Sequence, residues 1–462
     1  MKKILYIGFG VSPVMSGGAI LYQEWLAEEM SSRGYATACF FGIYSKKLKY
    51  SNKAYLKKWE RNKVKYIMLH NSPNFPQHAT PPGRQCSDPQ VEKLLRRIIK
   101  EEKPDLIHIH ELQMHTASVI DIAAELSIPC IKMIHNYYDV CPERDLMYKG
   151  VSPCLDYEAG GKCSACLSTL IERGVFSRKL AHTLYSIFVT PLPKWLFKPL
   201  SYIFHKIKKE EPQEIKTPEE LAAVIAGQYS NRRKYFVERL NKTDIVQCSS
   251  TRSAEILEGC GVKKEKIKII FPASKLADVI NPKPLRNKNH PVVFGYIGGS
   301  QFAKGFNVLI EAFSKLDQTK AKLIIWSSKK ETAVPSGLNI EIRGHYKTED
   351  IEKVFNEIDV GVVPSVWEEA FGLIGIEWIK ARIPVIGSRI GGIPEWLKDG
   401  ENGYLFEPGN AAELAEKMNY FAENPENISK MQEKMKPWKS FTGHADEMEI
   451  LYEALLKKRG LK

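Results

Sequence analysis

The chain has 462 residues, 44% of them hydrophobic and 26% charged, with a formal net charge of +13. These proportions exclude collagen-like, disordered and multi-span membrane proteins, and no apolar run approaches the ~18 residues that a membrane-crossing helix needs. Nine cysteines are too few and too odd in number for a disulfide scaffold, so a cluster among them suggests a metal before disulfides.

Residues 1–8 open like a leader peptide, but the apolar run is short and Gly8, Gly10 and Pro13 break it. It reads as the first buried strand of a cytoplasmic protein. In chain order the pattern predicts strand 3–8, helix 19–33, strand 37–42, helix 94–102, strand 105–110, helix 117–126 and strand 130–135. Strands alternating with helices indicate a parallel sheet covered on both faces. Residues 167–240 fit no such unit and read as a helical, basic, aromatic insertion. Residues 276–290 are rich in Asn, Pro and Lys and read as a linker. The alternation restarts with strand 292–297, helix 306–316, strands 322–327 and 339–343, helix 348–358, strand 360–364, helix 372–381 and strand 384–387. The chain therefore divides into a first unit, 1–284, and a second, 285–444. Two doubly wound units in tandem place a ligand in the cleft between them.

Charge is distributed unevenly between these units. Residues 1–285 hold 43 Lys and Arg against 29 Asp and Glu, while the remainder hold 24 against 25. The whole excess lies in the first unit, which points to an anionic partner, either nucleic acid or a membrane surface.

Gly298-Gly299-Ser300-Gln301-Phe302-Ala303-Lys304-Gly305 follows a predicted strand and opens a predicted helix. Glycines permit close backbone approach, a helix N-terminus offers free N–H groups, and Lys304 adds a full charge, a combination suited to a pyrophosphate. Downstream, Glu369 and Glu377 bracket the turn Phe371-Gly372-Leu373. Gly372 and Leu373 would present N–H groups to a phosphate. Carboxylate oxygens accept and do not donate, so both glutamates suit the hydroxyls of a sugar or ribose; alternatively both are solvated helix charges.

Taken with Gly391-Gly392-Ile393-Pro394-Glu395 and Asp399-Gly400-Glu401-Asn402-Gly403-Tyr404-Leu405, these motifs resemble the retaining glycosyltransferases of family 4. Gly17-Gly18 after the first strand, residues 104–110 and His135-Asn136-Tyr137 stand where that family has similar motifs. The resemblance implies a GT-B fold, two Rossmann-like doubly wound domains facing across a cleft, with a last helix, 445–462, packing back on the first. It implies sugar transfer from a UDP- or GDP-sugar, with retained configuration and no catalytic metal, to a glycan, lipid-linked or other glycoconjugate acceptor. Glu369 then meets the donor sugar, Glu377 the ribose and Lys304 the phosphates. His135 lies by the donor sugar, and the Gly17–Gly18 loop near the acceptor and reacting phosphate. Asn136 replaces a frequent Asp. The family often has an arginine where this chain has Gly299, with Arg343 and Lys329 as candidate substitutes. The usual Asn-Gly pair before the linker is replaced by Phe271-Pro272-Ala273-Ser274. Two alternatives stay open: a nucleotide-sugar epimerase, which shares this fold and donor site, and, because of Gly299, a non-catalytic glycosyltransferase-like binding partner. His108, His110 and His115 read as strand end and active-site wall.

Cys141, Cys154, Cys163 and Cys166 have a spacing compatible with one structural zinc held by four thiolates; the alternatives are four reduced thiols or an iron–sulfur cluster. Residues 171–209 hold eight Lys or Arg, one acidic residue and seven aromatics. Such a segment suits an anionic membrane surface, which would place the protein peripherally on the inner face of a membrane. Nucleic acid is the competing partner and is not expected beside a lipid-linked acceptor. A helical insertion packing its aromatics on the first unit is the alternative.

Overall fold

The computed structural model describes residues 1–15, 17–42, 54–70, 72, 80–167, 218–286, 291–327, 334–344 and 346–460. The basic aromatic segment 171–209 lies outside the described residues.

The described residues form two main sheets. The first contains β1 (Lys3–Phe9), β2 (Ala36–Gly42), β3 (Tyr55–Arg61), β4 (Val64–His70), β5 (Leu106–Ile109) and β6 (Cys130–Ile134). The short strands β7 (Met147–Tyr148) and β8 (Ser152–Pro153) make a separate hairpin, after which β9 (Ile245–Cys248) and β10 (Ile267–Ile269) rejoin the first sheet. Its spatial order is β10-β9-β6-β5-β1-β2-β4-β3, parallel throughout except for β3 against β4. The second sheet contains β11 (Val292–Ile297), β12 (Ala321–Trp326), β13 (Ile340–Ile342), β14 (Val360–Val363), β15 (Val385–Ser388) and β16 (Gly403–Phe406). Its order is β13-β12-β11-β14-β15-β16, all parallel.

With β3 set aside, both sheets share one topology. The first strand is central, the chain winds outward on one side and then returns to wind outward on the other. The order reverses between β1 and β5 and again between β11 and β14, and ligands of doubly wound sheets bind at the carboxyl ends of strands at such points. The strands support this arrangement: Ile4, Leu5, Tyr6 and Ile7 of β1 are fully buried, and all four residues of β5 and of β14 are buried. Continuous burial requires helices on both faces. β3 differs, carrying Lys57, Lys58, Glu60 and Arg61 at the sheet edge, where charge discourages further pairing.

The principal helices are α1 (Gly18–Ser32), α2 (Pro89–Glu102), α3 (Val119–Glu125), α4 (Pro218–Leu240), α5 (Thr251–Gly259), α6 (Phe306–Phe313), α7 (Leu373–Lys380), α8 (Ala411–Glu423), α9 (Glu426–Lys434) and α10 (Phe441–Lys458). Local sequence explains several of the starts. Asp88 Oδ1 accepts from the N–H groups of Gln90 and Val91 to begin α2, and Ser250 and Ser253 close a reciprocal cap on α5. The predicted linker 276–290 includes the end of a short helix, Lys275–Val279.

The last helix, α10, lies on the first sheet. Phe441, Ala445, Met448, Leu451, Tyr452 and Leu456 share a core with Ile4, Tyr6, Tyr22 and Leu26. Polar contacts fix its register: Tyr22 Oη is 2.6 Å from His444 Nε2, and Arg33 Nη1 donates to Asp446 at 2.7 Å and Glu449 at 2.9 Å. Among the described residues no helix is long and apolar enough to cross a membrane.

Candidate functional site

The site lies where the two switch points face each other. Gly18 opens α1 and Leu373 opens α7; a Cβ on Gly18 would stand 3.4 Å from Leu373 Cδ1. The first residues of the two helices, one from each unit, therefore meet across the cleft. Both helices bring unpaired N–H groups and a positive dipole end to this place.

Lys304 and Glu369 are brought together on the second unit. β11 ends before Gly298, and a short turn, Phe302–Lys304, leads into Gly305. Gly305 has φ of 70°, and a Cβ there would lie 1.6 Å from the Pro364 carbonyl oxygen. Only glycine lets this loop rest on the end of β14. The loop delivers Lys304 Nζ to 2.8 Å from Glu369 Oε2, an oxygen that also accepts from Trp367 Nε1 at 2.9 Å and Ser365 Oγ at 3.2 Å. The Lys304 side chain is 39% exposed and Glu369 12%, so the ammonium can reach a ligand while the carboxylate is held from behind. Gly391 and Gly392 pack against the backbone of Glu369. A Cβ at Gly391 would stand 2.2 Å from Glu369 O, and Gly392 N donates to the same oxygen at 2.7 Å. Tyr296 Oη donates to Gly299 O at 2.6 Å, and Gly298 N is 3.3 Å from Trp326 O.

Glu377 points inward from α7. It is buried, and Ser274 Oγ donates to its Oε1 at 2.6 Å. Burial pushes its carboxyl up to about 7, against the Ser274 hydrogen bond. The Phe-Pro-Ala-Ser segment thus supplies a direct partner for this carboxylate. Gly372, with φ of 88°, ends the loop before α7 and packs near Glu369 Cγ and Trp396.

His135 follows β6 on the first unit and is half-buried. Its Nε2 is 2.9 Å from His110 Nδ1. Burial, together with the charge of Lys132, lowers the His135 pKa to about 3. Asn136 donates to Glu111 Oε2 at 2.6 Å, and its Oδ1 accepts from Tyr138 N at 2.9 Å. This explains the residue type: Glu111 needs a donor here, and an aspartate would place a second carboxylate against it. Of the other histidines, His108 Nδ1 contacts Tyr452 Oη at 2.8 Å and His115 Nε2 contacts Gly8 O at 2.8 Å.

The two units are also tied directly. Arg252 on α5 pairs with Glu368, Thr251 N donates to Glu395 Oε1 at 2.7 Å, and Ser249 Oγ lies 3.2 Å from Ala370 O. Sequence reasoning missed Arg252, Glu368, Ser365 and Trp367. The last three lie within the four residues before Glu369, and that closeness was the available signal.

Other candidates fall elsewhere. Arg343 sits just after the edge strand β13, donating to Glu341 Oε1 at 2.6 Å and pairing with Glu357. The structure does not bring it to the Lys304–Glu369 pair. Lys329 lies outside the described residues. Three of the four cysteines hang on the β7–β8 hairpin: Cys141 accepts from the Leu146 backbone, Cys154 N donates to Leu146 O at 2.6 Å, and Cys166 Sγ accepts from Lys149 N at 3.2 Å. Among the described residues, however, no three His, Cys, Asp or Glu side chains stand where they could hold one metal ion. The expected four-thiolate centre of Cys141, Cys154, Cys163 and Cys166 is not assembled in this arrangement.

Residues 279–438 match the family model of glycosyl transferases group 1. An uncharacterized 41.2 kDa protein in the cps region of Klebsiella pneumoniae is 24% identical over 229 residues, covering 47% of this chain and 64% of that protein. The lipopolysaccharide core biosynthesis glycosyltransferase LpsE of Rhizobium meliloti is 27% identical over 197 residues, covering 41% and 56%. The chain thus spans less than two thirds of the length of these relatives. Among solved structures, Anabaena Alr3699/HepE in complex with UDP superimposes with a TM-score of 0.58 at 15% identity, over 98% of this chain and 100% of that one. The likeness fixes the fold as GT-B, two Rossmann-like units facing across a cleft.

Proposed function

We propose that the chain is a retaining family 4 glycosyltransferase, moving a sugar from a UDP- or GDP-sugar to a glycan, lipid-linked or other glycoconjugate acceptor in cell-surface polysaccharide synthesis. The observation that carries this reading is the Lys304–Glu369 pair, 2.8 Å apart at the switch point of the second sheet. A diphosphate entering the cleft meets Lys304 and the N–H groups opening α7. As the sugar departs, charge grows on the leaving phosphate oxygen, and these preorganised positive groups stabilise it. Glu369, relieved of Lys304, accepts hydrogen bonds from the donor sugar, and Glu377 takes the ribose hydroxyls. His135 borders the sugar, and the Gly17–Gly18 turn faces the acceptor side. The group 1 match over 279–438 and the cps and lipopolysaccharide settings of the relatives support the reading.

A thermal-shift screen against UDP, GDP, ADP and their sugars tests it. A ligand at 100 times its Kd stabilises by about 2.7 kcal/mol. A shift with one nucleotide class, lost in Lys304→Ala, supports the donor site and names the base. A folded, reduced protein that shifts with none of them ends the reading.

Two accessory proposals accompany it. A structural zinc on Cys141, Cys154, Cys163 and Cys166 is supported by their spacing and by the hairpin that Cys141, Cys154 and Cys166 touch, and binding would have to draw the sulfurs together. Less than about a tenth of an equivalent of metal in anaerobically purified protein ends that proposal. Peripheral attachment to an anionic membrane through 171–209 is supported by composition, and vesicle flotation without preference for anionic lipid ends it.

A further inference from the structure

Beneath the cleft, the face of the first sheet under α1 and α10 is crowded with buried polar side chains. His108 and His110 lie two residues apart on the same side of the chain, with ring centroids 4.2 Å apart. Both are buried, as are Tyr6 and Gln247 nearby. His110 Nδ1 meets His135 Nε2 at 2.9 Å, the two rings lying edge to edge with centroids 5.2 Å apart and planes within 22° of each other. His110 Nε2 is buried and has no hydrogen-bond partner among the described residues. His135 is the half-buried ring of the three, the one at the edge of the cleft.

With both rings neutral, a single proton serves the contact between them. If His135 donated it, His110 would carry its own proton on Nε2, leaving a buried N–H without an acceptor. If His110 donates from Nδ1, its Nε2 is only a bare lone pair. Orphaned buried N–H groups are rarer than under-satisfied acceptors, so the second arrangement is favoured. Burial lowers the pKa of both rings, which keeps them neutral.

We propose that His110 is a positioning residue whose Nδ1–H donates to His135 Nε2, fixing His135 as the Nδ1–H tautomer that offers a neutral N–H donor to a hydroxyl oxygen of the donor sugar. The proposal rests on the donor-site reading above. A neutral donor holds a sugar hydroxyl without competing with Lys304 for the diphosphate. Without His110, the ring of His135 is free to rotate and to take either tautomer.

Histidine-selective 15N labelling of the whole chain tests the tautomer directly, with His135 assigned through its missing signal in His135→Gln. The expected result is a protonated Nδ1 and a bare Nε2 on His135; the opposite pattern overturns the proposal. In transfer assays His110→Phe should lower kcat by about 10–100-fold, the usual scale for losing an orienting partner, while the nucleotide thermal shift is retained. His110→Asn, whose amide N–H can replace Nδ1–H, should recover most of the rate. Wild-type turnover by His110→Phe overturns the proposal. If the wild-type chain binds no nucleotide and transfers no sugar, the donor-site reading has failed, and the tautomer measurement still decides the role of His110. That measurement also stands if His110→Phe does not fold.

Discussion

Arg252 grips Glu368 across the boundary between the two units, Nη2 to Oε1 at 2.7 Å and Nε to Oε2 at 3.1 Å. The two-point geometry makes this an orienting contact as well as an ion pair. Glu368 is buried whereas Arg252 is 36% exposed. Arg252→Ala should therefore cost about 1–3 kcal/mol, less than a fully buried pair because solvent screens the guanidinium. The double variant Arg252→Ala with Glu368→Ala should be no worse than the single one. Denaturant midpoints check this, and simple additivity of the two losses would mean that the residues do not act as a clamp.

Lys304 makes a different prediction, because its pair with Glu369 is partly open to solvent. Lys304→Ala should change stability by less than about 1 kcal/mol. It should nevertheless lower kcat/KM for transfer by about 10²–10³, the scale for removing one stabilising group from a developing oxyanion. Melting curves and nucleotide release, measured on the same preparation, separate these effects. Large destabilisation with intact turnover would assign Lys304 a structural role.

Gly305 tests whether the loop carrying Lys304 needs its backbone. Its φ is 70°, and the Pro364 oxygen lies 1.6 Å from where a methyl carbon would stand, so Gly305→Ala must move either the loop or β14. We expect a loss of about 2–4 kcal/mol. Gly83→Ala is the control, since open space surrounds that position, and it should stay within about 0.5 kcal/mol. Equal stability of the two variants would show that the loop relaxes freely.

Glu377 predicts a pH dependence. Its carboxyl titrates near 4.5 when exposed and at about 7 when folded, mainly because it is buried. Between these values the folded chain binds the extra proton, so stability falls as pH rises. The cost is absent below about pH 4.5 and complete above about pH 7, and is on the order of 3 kcal/mol. Glu377→Gln should remove this component, so the difference from wild type should grow in favour of the variant from pH 4.5 to 8. Parallel urea curves would count against the burial argument. If ribose hydroxyls donate to Glu377, they favour the carboxylate, and nucleotide should bind more tightly as pH rises through about 7.

These cases show what the sequence discloses. The Val-Val-Phe-Gly-Tyr-Ile strand was legible to the residue because a buried parallel strand is a continuous apolar run bounded by turn signals. β3 was not, because an edge strand with Lys57, Lys58, Glu60 and Arg61 has no apolar run. The motif linking Lys304 with Glu369 was legible through its glycines, whose close approaches to Pro364 and Glu369 give each a physical reason. Arg252 and Glu368, 116 residues apart, had no local signal. Arg343 was a candidate by charge and position in the chain, but only the fold shows that Glu341 and Glu357 already occupy it.

Asn136 yields a prediction from a departure in sequence. Glu111 is buried and accepts from Leu112 N at 2.9 Å, Gln113 Nε2 at 3.0 Å and Asn136 Nδ2 at 2.6 Å. Asn136→Asp, toward the residue frequent in the resembled family, removes a donor and sets a second carboxylate against the first. One of the two must then hold a proton or repel its neighbour, which raises the folded-state pKa of the pair. A raised carboxyl costs stability as pH rises above its unfolded value. The variant should therefore lose about 1–3 kcal/mol at pH 7 and recover most of it near pH 4, where a shared proton replaces the amide N–H. Because Asn136 adjoins His135, the activity profile should shift toward acid in the same direction. Stability equal to wild type at pH 7 would mean that Glu111 tolerates the aspartate, and the choice of Asn at this position would then need a cause outside this hydrogen bond.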